Sequence, residues 1–184
     1  MKHVMLDIET LGSKTNSVIL SIGACYFDLL TGEIGDTLNI PVSAESCVSA
    51  GLDIDASTVL WWMNQHKDAQ DKITEGQKKA MPLGGALNSL SGFINSDAQV
   101  WGNGATFDNV IIKNAYEKMH MDAPWKFWND RDVRTIVELG YQIGFNPKRD
   151  MPFEGVRHDA LADAVHQAKY VSAIWQKLLS HSLS

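Results

Sequence analysis

The sequence predicts an α/β domain, a mixed sheet covered by helices, on three observations. Strand-like segments open the chain one after another. Helical spacing takes over after Asp55. A short strand-like run then returns at Gln99 to Trp101. Strands first, then helices mixed with single strands, is the order that packs helices on a mixed sheet. With 184 residues, 45% of them apolar and 21% charged, the chain suits one domain over residues 1–184 with a sizeable core.

The first segment, HVMLDIE, alternates and ends at Glu9. The second, from Val18 to Asp28, is rich in β-formers and largely apolar, as a buried strand is. Thr31 and Gly32 make a turn into a third strand between Ile34 and Val42. Asp55 or Ser57 caps a helix through Met63, and a polar helix follows from Asp68 to Ile73. Leu83, Leu87, Leu90 and Ile94 fall at helical spacing between Pro82 and Ile94. After the strand at Gln99, Gly102 and Gly104 end the run, and Thr106 or Asp108 opens another helix. One more helix is expected from Asp132 to Gly140, and the last from Asp159 to Leu179. The stretch from Gly144 to Arg157 carries Gly, Pro and charges and reads as a surface loop.

The net charge is −6, which argues against a tight, non-specific grip on a nucleic-acid backbone. It leaves open chemistry on such a backbone, because acids that bind divalent cations reverse their own local field. Acidic residues interrupt the apolar run of the N-terminus, so a signal peptide is not expected, and no stretch is long enough to span a bilayer. Cys25 and Cys47 lie outside any CxxC pattern and read as free thiols of a cytoplasmic protein. There is no HExxH, no GxxxxGK[ST] and no GxSxG, which disfavours a zinc hydrolase, a P-loop enzyme and a serine hydrolase.

Three groups of acids carry the chemical signal. Asp7 and Glu9 are two apart on the first strand, so they share a face while Val4, Leu6 and Ile8 take the other. Two like charges side by side repel, and a cation between them relieves that. Hard oxygen ligands of this kind suit Mg²⁺ or Mn²⁺. The plainer reading is a solvated strand end. Asp108 stands where a strand gives way to a helix, at the carboxyl end of the sheet, where open α/β sheets bind ligands. Its plainer reading is a helix cap. His158 and Asp163 are five apart and share no helix face in register, yet they converge if His158 sits at the helix start and Asp163 one turn inside. The alternative has Asp159 capping the helix, with His158 and Asp163 at the surface.

The joint order of these groups resembles the DEDD exonuclease superfamily, in its subgroup with histidine in the third motif. Asp7-Ile8-Glu9-Thr10 resembles the first motif, Asn103 to Asp108 the second, and His158 to Asp163 the third. FWNDRDVRT, from Phe127 to Thr135, and the Trp61-Trp62 pair look further like the phage exodeoxyribonuclease group. The resemblance implies a ribonuclease H-like fold, a mixed five-stranded sheet flanked by helices. It implies two Mg²⁺ or Mn²⁺ ions held by Asp7, Glu9, Asp108 and Asp163, with His158 as general base. It implies hydrolysis from a nucleic-acid 3′ end, with Thr10, Leu11 and Gly12 holding and wedging the terminal nucleotide. Phe107 stacks on a base or packs in the core, and Asn103 bonds substrate or fixes its turn. DNA is the favoured substrate and RNA the alternative, since the motifs do not test for the 2′-OH. A non-catalytic ribonuclease H-like module is the third reading; loss of acids is its signature, and all four are present. Relatives in the superfamily often dimerise, which leaves a homodimer open.

Overall fold

Alternation along the first strand decides where everything else packs. In β1 (His3–Thr10), Val4, Leu6 and Ile8 are buried in one core and Met5 in another. A strand apolar on both faces belongs in the middle of a sheet with helices on each side. The computed structural model, which describes residues 1–181, places β1 there, in the order β3-β2-β1-β4-β5. β2 (Ile19–Phe27) and β3 (Ile34–Pro41) continue from β1 as an antiparallel meander. β4 (Gln99–Gly102) and β5 (Asp130–Asp132) extend the other side, parallel to β1. Parallel pairing brings the carboxyl ends of β1, β4 and β5 to one edge of the sheet. This is the mixed five-stranded sheet that the sequence implies.

One face carries α1 (Ala44–Ser49), α2 (Ala56–Met63), α3 (Lys67–Lys78), α4 (Leu83–Phe93) and α5 (Asp108–Lys118). Leu83, Leu87 and Leu90 of α4 and Ile111, Ile112 and Tyr116 of α5 meet the apolar side of β1 there. The other face carries α6 (Val133–Gln142) and α8 (Ala160–His181). Ala164, Ala168, Val171 and Ile174 of α8 pack on Met5, Cys25 and Phe27. Cys25 and Cys47 are free and buried. No helix among the described residues is long and apolar enough to cross a membrane.

Three local expectations need correction. α3 runs on to Lys78, past Ile73. The Gly144–Arg157 segment is not all loop: it holds α7 (Pro147–Asp150), capped by the Asn146 side chain, which accepts from the Lys148 amide. An Asn followed by Pro is a cap followed by a first-turn proline, so the signal is there to be read. The charged triplet of β5 shows no strand pattern at all. It forms because Val100, Trp101 and Gly102 offer it a partner.

The seat of α8 depends on one missing side chain. Gly23 of β2 pairs with Asp7 of β1. A Cβ on Gly23 would lie 2.1 Å from the carbonyl carbon of Ala160 and 2.3 Å from the amide nitrogen of Leu161. The first turn of α8 therefore rests directly on the strand, beside Asp7. Gly23→Ala forces that turn away from the sheet. Overpacking of this kind costs about 1–3 kcal/mol or more, to be read from urea unfolding. A variant as stable as the parent would show that α8 rises off the sheet without cost.

Candidate active site

Asp7 and Glu9 lie on the same face of β1 as Met5, the face that α8 covers. Their cross-strand neighbours are Gly23 and Ser21, both small, so nothing bulky separates them from α8. The end of the strand is pinned from the other side. The Trp62 indole Nε1 donates to the Thr10 carbonyl at 2.9 Å. The Thr10 hydroxyl donates to the Gly12 carbonyl at 2.6 Å, and the Leu11 amide to Val18 at 2.9 Å. Gly12 is buried, and a Cβ there would meet the Ser17 Oγ at 2.5 Å. The backbone that follows Glu9 is thus a fixed ledge, with Leu11 packed against the core.

Asp108 opens α5 just beyond β4 and is 3% exposed. Its Oδ1 accepts from the Ile8 amide at 3.3 Å, which ties the second acid-bearing segment to the strand between Asp7 and Glu9. Its neighbour Asn109 is fully buried and donates to Val100 at 3.0 Å and to Asp130 at 2.9 Å. Asn103 is half-buried, and its carbonyl accepts from the Arg134 Nε at 3.1 Å. Phe107 is half-buried against the same core as Leu11.

At the start of α8 the alternative reading holds only for Asp159, since His158 and Asp163 are half-buried and not at the surface. Asp159 does cap the helix: its Oδ1 accepts from the Ala162 amide at 3.1 Å. His158 takes a left-handed backbone, φ 64°, that turns it back over the helix start. Its amide donates to the Asp163 Oδ2 at 2.8 Å. Its ring meets Trp61 and Trp62 edge-on, with centroids 5.0 Å and 6.0 Å away. Trp62 is core and Trp61 is 44% exposed, so the pair divides as adjacent helical residues must. Ligand atoms of Glu9, His158 and Asp163 all lie within 4.8 Å of one another. Arg131 of the edge strand donates through its guanidinium to the carbonyls of Trp128 and Asp130.

One participant has no counterpart in the sequence reading. The Gln167 Nε2 donates to the Asp7 Oδ1 at 2.8 Å. Gln167 is 5% exposed, and its Oε1 has no hydrogen-bond partner among the described residues. The available signal was spacing: Gln167 is four beyond Asp163, so the two share a face of α8. His166 meets Phe153 and Tyr170 edge-on, in a neighbouring cleft.

The charges explain each other. Burial holds Asp7 well above the usual carboxylate range, and Asp108, Glu9 and Asp163 add to the rise. Burial pushes Glu9 up to about 8, with Asp163 and Asp108 next. Burial lifts Asp108 to about 7 against hydrogen bonds from backbone amides, and raises Asp163 too. Four acids that resist ionisation at one lip form a site that cations stabilise. The four acids offer only carboxylate oxygens, a set that suits Mg²⁺ or Mn²⁺, with the His158 imidazole beside them.

A ribonuclease H-like sheet, two acids on its central strand, one beyond the next and a His–Asp pair opening the last helix make the arrangement of a 3′–5′ exonuclease. Comparison with known proteins agrees. The chain belongs to the Rv2179c-like family, described as a 3′-5′ exoribonuclease Rv2179c-like domain, whose family model matches residues 2–175. It is 25% identical to the exodeoxyribonuclease of Enterobacteria phage T4, over 75% of this chain and 71% of that one. Among solved structures it resembles exonuclease I, with TM-score 0.68 and 13% identity, over 97% of this chain and 43% of that one. It also resembles the nuclease domain of 3'hExo, a DEDDh family member bound to rAMP, with TM-score 0.59 and 12% identity, over 97% and 91% of the two chains. The chain thus spans less than half the length of exonuclease I.

The raised acids fix how the metal-free protein responds to pH. A carboxyl whose folded pKa is raised contributes stability below its unfolded pKa and loses it as pH rises through the folded one. His3 and His166 are lowered from 6.5, mainly by burial, and so gain stability with rising pH, but only up to about that value. Between about 6.5 and 8 the acids act alone, since Asp108 stands at about 7 and Glu9 at about 8. The melting temperature in EDTA should therefore fall across that window, and Glu9→Gln should flatten the fall. A flat parent profile would mean that the acids are not crowded in solution.

Proposed function

We propose that the protein hydrolyses single-stranded DNA from its 3′ end to nucleoside 5′-monophosphates, with two Mg²⁺ or Mn²⁺ ions held by Asp7, Glu9, Asp108 and Asp163. The observation that carries this reading is the meeting of three distant segments at one lip. Glu9, His158 and Asp163 converge within 4.8 Å, while Asp108 bonds to the strand between Asp7 and Glu9. Divalent ions, when bound, stabilise charge on a phosphodiester and ease ionisation of an attacking water. The chain supplies the rest. Thr10, Leu11 and Gly12 hold the terminal nucleotide on their fixed ledge, and Leu11 with Phe107 offers it an apolar face. Asn103 orients the strand beside Asp108.

His158 acts as general base. Its backbone is tied to Asp163 and its ring is set edge-on to Trp61 and Trp62, so the imidazole is aimed rather than free. An imidazole is a competent base near neutral pH. As the water oxygen bonds to phosphorus, a ring nitrogen takes its proton. The bond from phosphorus to the 3′ oxygen breaks, and that oxygen takes a proton from solvent. The products are the nucleoside 5′-monophosphate and a strand one residue shorter with a free 3′-OH.

DNA is supported by the phage T4 exodeoxyribonuclease and by exonuclease I of E. coli, a structure of which holds a dA13 oligonucleotide. RNA is the second reading, on the description of the family and on 3'hExo with rAMP. Matched 3′-labelled DNA and RNA oligomers with Mg²⁺ or Mn²⁺ decide between them: faster loss of the DNA label is expected, and a preference for RNA transfers the assignment. Asp7→Ala should abolish the activity while the fold survives, as circular dichroism can check; retained activity would remove the basis of the mechanism. His158→Ala should lower kcat by about 10²–10⁴-fold. An unchanged kcat would take the base role from His158.

A further inference from the structure

A second cleft opens beside the acids, on the α8 face of the sheet. Its volume is about 670 Å³, and α6, the α7 segment and the first turns of α8 form its walls. Arg134, Lys148 and Arg157 line it, interleaved with Tyr141, Phe153 and Tyr170. All three cations are exposed, and none is ion-paired among the described residues. Arg134 commits only its Nε, to the Asn103 carbonyl, which leaves the rest of the guanidinium fork open. Arg157 lies over the Phe153 ring at 4.9 Å, so its planar group is held against the wall. Glu138 is the one acid of the lining besides Asp163.

The cleft is continuous with the acid centre. Asp163 and Gln167 line it, and Gln167 bonds Asp7 with one end of its amide. The other end, Oε1, is a buried acceptor without a partner among the described residues. Arg134 also bonds the Asn103 carbonyl at the mouth of the segment that leads to Asp108, so the cationic lining begins beside the acids. Cations that track a backbone, set among aromatic faces, are the means by which proteins hold single-stranded nucleic acid. The open fork of an arginine matches a phosphate with two hydrogen bonds.

Building on the exonuclease reading, we propose that this cleft holds the phosphodiester backbone of the strand just upstream of the scissile bond, through Arg134, Lys148 and Arg157. The acids and the Thr10–Gly12 ledge then take the last nucleotide, and the cleft takes those before it. Strand length, not the identity of the terminal base, governs its contribution.

The test compares two substrates in the parent and in the double variant Lys148→Ala with Arg157→Ala. One is a 3′-labelled oligothymidylate about 12 nucleotides long. The other is the p-nitrophenyl ester of thymidine 5′-monophosphate, which has no upstream phosphate. For the oligomer, KM should rise about tenfold or more. The slope of log(kcat/KM) against log salt should shrink by about 1.4 for the two lost cations. Turnover of the ester should stay unchanged, which also shows that the variant is folded. Parent-like KM and salt slope on the oligomer overturn the proposal. So does an equal loss on both substrates, which would place the cations at the terminal phosphate. Arg134→Gln, alone, repeats the test for the residue nearest Asp108. If the parent hydrolyses neither substrate, the exonuclease reading fails instead, and anisotropy of a labelled oligothymidylate still reports whether the cleft binds a strand.

Discussion

Four carboxylates that repel one another at the lip of one sheet are the constraint on which this structure depends. Each is raised by burial, and each raises or faces the others. The fold keeps them in place with hydrogen bonds aimed one at a time: Gln167 to Asp7, the Ile8 amide to Asp108 and the His158 amide to Asp163. Glu9 receives no such bond among the described residues, and it reaches about 8. Repulsion that hydrogen bonds only partly offset is a debt left for cations to settle. A site of this kind is therefore less stable alone than when loaded, the usual trade at functional positions.

The supporting features matter because they decide where repelling groups come to rest. Gly23 lets α8 lie against β2 at the level of Asp7, which sets the height of Asp163 and Gln167 over the sheet. Trp62 reaches from α2 to the Thr10 carbonyl and also borders the His158 ring. One side chain thus fixes both the ledge after Glu9 and one wall of the imidazole. The left-handed backbone of His158 is costly for a residue with a Cβ. It persists because the amide it turns inward finds Asp163. Strain at the entry to α8 and the bond to an acid are two sides of one arrangement.

The sequence shows these features unequally, and the reason is range. Alternation in β1 is local, so the shared face of Asp7 and Glu9 is legible from eight residues. So are the β-formers of β2 and the helical spacing of α4. β5 is not, because Asp130, Arg131 and Asp132 have no strand preference of their own. Asp130 is held by Asn109, Trp125 and Lys113, and none of these bonds leaves a trace in the triplet. Gln167 meets Asp7 across 160 positions, and Gly23 meets Ala160 across a similar span. Such contacts exist only after the sheet and α8 have packed. The convergence of His158 with Asp163 is legible from helix geometry, and a capping Asp159 is compatible with it, whereas a surface position for His158 and Asp163 is not what the packed site allows.

Net charge bears on how such a protein handles a polyanion. A value of −6 speaks against a broad basic surface. It does not speak against local order. Asp7, Glu9, Asp108 and Asp163 gather four acids at one lip, while Arg134, Lys148 and Arg157, without an ion pair among the described residues, lie along one adjoining cleft. Segregated charges of opposite sign give a strong field over a short distance even when the sum is unfavourable. On the proposed reading, such an arrangement suits an enzyme that must let go after each cut: a wide basic face would hold the shortened strand, whereas a short cationic track beside the acids would hold it only while the end is seated.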